Sequence, residues 1–217
     1  DQNTRETLIA EAQGMMPLWN NLVLRQGVSE ANQGMVGKTL KEIAALRQSD
    51  ALNVMIDLSL EESLEAHFLS ADMGHNDDAL VAPLLKHPNV MIGASDGGAH
   101  ILSFATYGDT GYLLGHFVRD TAHLGLEAAV KKITADPANL WGMGNRGMLR
   151  EGFIADITVF DASVVDRGAE YFVQDVPGDG YRYVRDAHGI HSVVIGGALA
   201  YDKANGYYEA HRGQVIG

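Results

Sequence analysis

Hydrophobic positions recur every three to four residues through most of the first part of the chain, which is the spacing of one helix face. Thr39-Leu40-Lys41-Glu42 begins one such segment with a capping box, in which the Thr hydroxyl and the Glu carboxylate each bind a free backbone N–H. Asn76-Asp77-Asp78 begins another, and its acids suit the positive end of a helix dipole. The pattern predicts helices at 5–13, from Leu40, from about 50, at 79–87, 112–124 and 127–135, and a short one from Asp136 to Trp141.

Strand patterns lie between these helices and dominate the end of the chain. They predict strands at 19–24, 64–69, 89–94, 155–160, 191–195, 198–201 and 207–216. Asn89–Ala94 is almost continuously apolar, which is typical of a strand buried on both faces of a parallel sheet. With helix 79–87 and strand 64–69 before it, this strand completes a βαβ unit. The character changes from α/β to β at a glycine-rich turn region, which predicts two domains, 1–150 and 151–217.

A glycine-rich loop follows the last predicted strand of the βαβ unit, and Asp96 stands at its start. In barrels and open α/β sheets, ligands bind at the carboxyl ends of the strands. A carboxylate at that position can hold a metal or take a proton from a metal-bound water, and Gly97 and Gly98 would let a substrate approach the backbone. His100 lies in the same loop. The other interpretation is that Asp96 only caps the following turn, and spacing alone favours neither.

Residues 93–97 also match Gly-x-Ser-x-Gly, the motif of the serine-hydrolase nucleophile elbow. Ser95 would be the nucleophile. An acid and a base follow in the required chain order, as Asp156 or Asp161 and then His188. The motif is short, and no His-Gly-Gly run that could form the oxyanion loop precedes it. A serine hydrolase is therefore the alternative hypothesis.

Charge and composition exclude several classes of function for this chain. The 217 residues include 16 Lys and Arg against 28 Asp and Glu, a formal net charge of −12. This balance argues against binding of nucleic acid or of an anionic membrane, because both need clusters of basic residues. No Cys is present, which excludes disulfides, cysteine zinc ligands and a cysteine nucleophile. No apolar run approaches the ~18 residues of a membrane span and no signal-like start is present, which predicts a cytoplasmic protein.

The segment Met91-Ile92-Gly93-Ala94-Ser95-Asp96-Gly97-Gly98-Ala99-His100 resembles the last barrel strand of metal-dependent amidohydrolases. The resemblance is to the branch of the N-acyl-D-amino-acid deacylases, or D-aminoacylases. Three further segments are similar to the same family, in order and with matching spacing. They are 126–138, like the helix after that strand, 147–161, like the return into the family's β-sandwich, and 193–197, like its closing hairpin.

This resemblance implies an α/β fold in which the last units of a partial (β/α)₈ TIM-like barrel precede part of a small β-sandwich. It implies hydrolysis of a carbon–nitrogen amide bond in a small N-acylated substrate, with zinc as the cofactor. Asp96 corresponds to the strand-end aspartate that acts on the metal-bound hydroxide, and is the expected catalytic residue and metal ligand. Gly97, Gly98 and His100 are the expected substrate-binding residues.

The remainder of the family's metal site has no match in this sequence. The family uses a His-containing motif near its start, a bridging Cys or Lys and two His on middle strands, whereas the first His here is His67. A complete barrel takes about 250 residues, and about 150 precede the β-rich end here. We therefore expect a C-terminal portion that is inactive alone, holds zinc only in a completed site, and forms a homo-oligomer or joins an N-terminal chain. A non-catalytic remnant or partner-binding subunit is a third hypothesis.

Overall fold

The computed structural model describes residues 1–26, 28–70, 77–93, 95–209 and 213–215. The chain mixes helices and strands, as an α/β protein does, and divides into two compact units, Asp1–Asn76 and Asp77–Gly217. Within the described ranges, no helix has the length and apolar character needed to span a lipid bilayer.

The first unit is mostly helical. Its helices are α1 (Gln2–Ala12), α2 (Met16–Asn20), α3 (Leu40–Arg47) and α4 (Ala51–Glu61), with 3₁₀ turns at Gln13–Met15 and Glu30–Met35. Its strands, β1 (Leu22–Gln26) and β2 (His67–Ser70), pair antiparallel with each other.

Local sequence signals determine where α3 and α4 begin. The backbone N–H of Thr39 donates to Glu42 Oε2 at 2.8 Å, and the backbone N–H of Glu42 donates to Thr39 Oγ1 at 3.2 Å, so the predicted capping box is confirmed. At the start of α4, the Asp50 carboxylate accepts from the backbone N–H of Asn53 at 3.0 Å. The apolar faces of both helices then bury a core made of Leu24, Leu40, Ile43, Ala44, Ala51, Val54 and Leu58.

The second unit begins with helices and ends with strands. The helices are α5 (Asp78–Lys86), α6 (Asp109–Tyr112), a π-helix (Leu113–Asp120), α7 (Leu126–Ile133) and α8 (Ala135–Leu140). The strands are β3 (Ile157–Phe160), β4 (Asp166–Val176), β5 (Gly180–His188), β6 (Ile190–Ile195), β7 (Ala198–Asp202) and β8 (Gly206–Tyr207).

The strand pairs that the structure describes are all antiparallel. A four-stranded sheet has the order β3-β6-β7-β8, and β4 and β5 form a separate long hairpin. The predicted Gly196-Gly197 turn joins β6 to β7, and both glycines have the positive φ that a type I′ turn requires. The π-helix passes directly against β4 because Gly115 has no side chain: a Cβ there would lie 2.6 Å from Asp166 Oδ2.

The predicted strand at 89–94 is wrong. Residues 89–93 have no strand structure, and Val90 N–H instead turns back to the carbonyl of His87 at 3.2 Å. The buried ammonium of Lys132 donates to the carbonyls of His87 and Val90 at 2.9 and 2.7 Å. A strand needs neighbouring strands for these groups, whereas here a side chain from α7 binds them. The predicted βαβ unit is therefore absent, since β2 also pairs antiparallel with β1.

Other boundaries differ from the predictions as well. The predicted strand 19–24 is divided between the end of α2 and the start of β1, and the predicted helix 112–124 is largely the π-helix. Of the predicted strand 207–216, only Tyr207 is in a strand, residues 208–209 and 213–215 are not, and the others lie outside the described residues. The β4–β5 hairpin had no counterpart in the sequence analysis. The domain boundary near residue 150 stays a prediction.

Candidate active-site loop

The loop after residue 93 is built on a tight turn that begins at Asp96. The backbone N–H of Ala99 donates to the carbonyl of Asp96 at 2.8 Å, so Gly97 and Gly98 occupy the two central positions of the turn. Gly98 has a φ of +95°, a conformation that strains residues with a Cβ. The Thr106 hydroxyl contacts the carbonyls of Asp96 and Ala99 at 2.5 and 3.2 Å. These contacts fix the backbone of the turn from both of its ends.

The carboxylate of Asp96 extends from this turn into solvent. It makes no hydrogen bond or ion pair with any residue that the structure describes, although its backbone carbonyl is doubly bound. The two glycines beside it are also exposed, and a Cβ placed on Gly98 would meet no atom within 4 Å. The turn therefore presents an unpaired acid next to an open stretch of backbone.

His100 closes the turn on its other side. Its backbone has a φ of +56°, and its carbonyl accepts from the backbone N–H groups of Ser103 and Phe104 at 2.8 and 3.2 Å. Its exposed imidazole stacks on the Phe104 ring with the ring centres 5.8 Å apart and the planes 10° from parallel. The loop thus brings together all four residues that the sequence analysis selected, Asp96, Gly97, Gly98 and His100.

The β4–β5 hairpin anchors the far end of the loop. The backbone N–H of Ala105 donates to Glu170 Oε2 at 2.8 Å, and Arg185 Nη2 donates to the carbonyl of Ala105 at 3.0 Å. The backbone N–H of Tyr183 reaches the carbonyl of Ile101 at 2.8 Å. Burial, followed by the nearby charge of Arg167, lowers the pKa of Arg185 from its ordinary value.

Sequence reasoning missed these anchoring residues because it missed the hairpin. A usable signal was present in Pro177-Gly178-Asp179-Gly180, since Asp-Gly between two alternating segments is a strong hairpin signal. In the structure Gly178 and Asp179 have φ of 78° and 59°, and Val176 pairs with Gly180 across the turn. The chain thus reverses within the three residues 177–179, two of which have the positive φ that a tight hairpin turn needs.

The described residues do not form a metal centre by themselves. No group of three or more His, Asp or Glu side chains among them is arranged to hold a metal ion. A catalytic zinc needs three protein ligands and an open position, whereas the loop offers the single carboxylate of Asp96. The donor set of the described residues therefore does not fit zinc without ligands from elsewhere.

The serine-hydrolase arrangement is not observed around Ser95. Its hydroxyl accepts from the backbone N–H of Gly97 at 3.3 Å within the turn, and no helix begins before Asp109, whereas the nucleophile elbow leads directly into one. Asp156 accepts from Arg146 and from the backbone N–H of Gly196 at 2.8 Å. Asp161 accepts from the backbone N–H of Ser163 at 2.8 Å. The acids proposed for a triad thus serve local structure.

Comparison with known proteins agrees with the sequence motif. The model of the Amidohydrolase family matches residues 19–201, which include the whole candidate loop and most of the chain. The chain belongs to the amidohydrolase family.

The curated relatives of this amidohydrolase include proteins of the D-aminoacylase type. The chain is 31% identical over 182 residues to the D-aminoacylase of Alcaligenes xylosoxydans xylosoxydans, covering 83% of this chain and 34% of that protein. It is 33% identical over 171 residues to the N-acyl-D-glutamate deacylase of the same organism, covering 77% of this chain and 31% of that protein. The resemblance stated from the sequence motif is confirmed.

A solved structure gives the same result. The amidohydrolase superposes on a D-aminoacylase with a binuclear metal centre at a TM-score of 0.54 and 26% identity, covering 91% of this chain and 38% of that one. It spans about a third of the length of the curated relatives that it matches.

Proposed function

We propose that this amidohydrolase takes part in the hydrolysis of N-acyl-D-amino acids, with Asp96 as its catalytic residue. The observation that supports this role is the unpaired carboxylate of Asp96, held by a doubly bound turn inside the segment that matches the family. The substrate class comes from the names of the relatives, a D-aminoacylase and an N-acyl-D-glutamate deacylase.

Amide hydrolysis needs a group that moves a proton. The bond from the water oxygen to the acyl carbon forms, the carbon–nitrogen bond breaks, and the nitrogen must be protonated to leave as an amine. A carboxylate beside the scissile bond can accept the proton from the attacking water and deliver it to the nitrogen. Asp96 supplies that carboxylate, and the products are a carboxylate from the acyl group and a free D-amino acid.

The rest of the turn forms the substrate side of the proposed site. Gly98 leaves the backbone open, since a Cβ there would meet no atom within 4 Å, and the exposed Gly97 beside it adds no side chain of its own. The exposed ring of His100 provides a hydrogen-bonding group on the same turn. We assign these three residues to substrate binding.

Zinc is the proposed cofactor, with Asp96 as one ligand and the others supplied from outside the described residues. This follows from the donor set, since no group of three His, Asp or Glu side chains among the described residues could hold a metal ion. The partner that completes the site is a second copy of the chain or a chain that carries the missing ligands. In the same proposal, residues 1–150 join a (β/α)₈ barrel that forms only when the partner supplies the neighbouring parallel strands, and residues 151–217 are part of a β-sandwich.

A chimeric enzyme tests the assignment of Asp96. Residues 19–201 would replace the matching segment of the Alcaligenes D-aminoacylase, and turnover of N-acetyl-D-amino acids would be measured. Asp96→Asn should lower kcat by about 10²–10⁴-fold, the range for loss of a proton-transfer group. Asp109→Asn, in the same segment, should leave kcat within about twofold of the parent chimera.

The same chimera separates the two hydrolase hypotheses. Ser95→Ala should keep turnover, because the proposed chemistry does not use the hydroxyl. A folded, metal-loaded chimera whose kcat is unaffected by Asp96→Asn would refute the proposed role. Loss of turnover in Ser95→Ala, together with labelling of Ser95 by a phosphonate probe, would support the serine hydrolase instead.

A further inference from the structure

The second unit contains a cleft of about 690 Å³ whose lining includes neither Asp96 nor the other three candidate residues of the loop. Its volume falls within the range of small-molecule sites, about 300–1,000 Å³. Much of its wall is apolar, and this part comprises Leu114, Val130, Ile133, Ile157, Phe160 and Ile190. Two guanidinium side chains, Arg167 and Arg185, also line the cleft.

These two arginines lie side by side because the residue between them has no side chain. A Cβ on Gly108 would lie 3.0 Å from Arg167 Cβ and 3.1 Å from Arg185 Cδ. Gly108 also has a φ of +98°, so a larger residue would be strained there as well. Both side chains therefore carry positive charge to the same part of the cleft wall, which favours binding of an anion there.

The two guanidinium groups differ in how they are already bound. Arg185 donates to the carbonyl of Ala105 at 3.0 Å and pairs with Glu170 at 3.3 Å. Arg167 lies over the ring of Tyr112, 4.1 Å from its centre. The guanidinium of Arg167 donates no hydrogen bond to any residue in the described part of the chain, so its five N–H donors are open to a ligand.

The acids in the wall of the cleft have donors of their own. Asp166 accepts from Arg119 at 2.8 Å and from the backbone N–H of Arg167 at 2.7 Å. Asp156 is held by Arg146, and Asp186 accepts from the hydroxyl of Tyr171 at 3.1 Å. Because these carboxylates are already engaged, none of them neutralises the Arg167 guanidinium by direct contact.

We propose that this cleft binds a carboxylate with an apolar tail, with Arg167 as the main anion ligand and Arg185 beside it. A guanidinium matches a carboxylate in a planar, bidentate pair. The tail would lie along the aliphatic and aromatic wall, where its burial is favourable. A multiply charged anion such as phosphate fits less well, since Asp166 and Asp186 share the wall. The site is independent of the proposed deacylation.

Calorimetric titration of the full chain with octanoate tests this site. Octanoate should bind, whereas 1-octanol, which has the tail without the charge, and acetate, which has the charge without the tail, should each bind at least about tenfold more weakly. Arg167→Gln should weaken octanoate binding by about tenfold. Arg167→Lys should recover part of that loss, because it keeps the charge without the planar fork.

Arg182 provides a matched control on β5. It pairs with Asp175 at 2.7 Å and does not line the cleft, so Arg182→Gln should leave octanoate binding unchanged. Equal binding of octanoate and 1-octanol, or an equal loss in the Arg167→Gln and Arg182→Gln variants, would overturn the anion site. Absence of octanoate binding to the parent chain would overturn the whole proposal. Should Arg167→Gln unfold, the ligand series and Arg167→Lys still decide.

Discussion

At the scale of single residues, the buried carboxylate of Glu62 at the end of α4 is bound by several hydrogen-bond donors. Glu62 is 9% exposed, and its Oε2 accepts from the backbone N–H of Ser29 at 2.6 Å. Its Oε1 accepts from the Ser29 hydroxyl at 2.9 Å and from the Asn32 amide. Arg47 binds the other side of Asn32 at 2.7 Å. The hydrogen bonds, with that from Asn32 first, lower the pKa of Glu62 below its ordinary value of 4.5.

A lowered carboxyl pKa makes the free energy of unfolding depend on pH in a defined direction. The stabilisation is fully present above the ordinary pKa of Glu62, 4.5, and is lost as the pH falls through the lower folded-state value. Glu62→Gln should therefore destabilise the first unit at pH 7, and the difference from the parent chain should shrink as the pH falls from about 5 to 3. Urea unfolding at a series of pH values, followed by circular dichroism, measures this.

Glu65→Gln is the matched control for this titration. Glu65 is exposed and lies three residues from Glu62. Its substitution should leave the free energy of unfolding nearly constant relative to the parent chain across the same pH range. If the difference in the free energy of unfolding between Glu62→Gln and the parent chain stays constant with pH, the negative charge does not contribute. Glu62 would then act only as a hydrogen-bond acceptor.

At the scale of secondary-structure elements, agreement with the sequence follows the range of the interactions. Helix ends are determined by neighbouring residues, so the Thr39 capping box and the Asp50 cap were predictable. The Gly196-Gly197 hairpin was predictable for the same reason. The segment 89–93 was not: its apolar sequence predicted a strand buried on both faces, whereas none of its residues is fully buried and its Val90 carbonyl accepts from a side chain. That side chain belongs to Lys132, more than forty residues away.

Lys132 should therefore contribute more to stability than its neighbour on α7. Lys132→Met keeps the aliphatic stem and leaves the carbonyls of His87 and Val90 without their charged donor, at a cost of about 1–3 kcal/mol. Lys131→Met removes a side chain that is 65% exposed and pairs with Asp136 on the surface, and should change stability by less than about 0.5 kcal/mol. Denaturant unfolding of the two variants compares them, and equal losses would show that the carbonyl contacts contribute nothing measurable.

In the candidate loop, too, the features set by neighbouring residues were predictable and those set by distant residues were not. The glycines and the acid of the turn were identifiable from Asp96-Gly97-Gly98, and the turn that they form depends on nearby Thr106. The residues that anchor the loop, Glu170 and Arg185, were missed because their strands are rich in charged residues and alternate weakly. The acid and the glycines of the candidate site could thus be predicted from the motif. The residues that anchor the loop could be found only in the tertiary structure.

At the scale of the whole molecule, membership of a family with metal-containing relatives conflicts with the few possible metal ligands among the described residues. The chain belongs to a family with metal-containing relatives, yet the described residues hold no group of three metal-binding side chains. The chain covers 34% of the length of the Alcaligenes D-aminoacylase that it matches. The two facts are reconciled if most metal ligands come from outside the described residues, as the proposed function requires.

Metal analysis of the purified chain tests this directly. After dialysis against zinc and removal of excess, elemental mass spectrometry should find well below one zinc per chain, and N-acetyl-D-amino acids should not be turned over, because one carboxylate cannot hold zinc against the solvent. The Alcaligenes D-aminoacylase treated in the same way is the positive control for metal loading. One zinc per chain that is lost in Asp96→Asn, with an unchanged circular dichroism spectrum, would show that this chain carries its own ligands and that the proposed need for a partner is wrong.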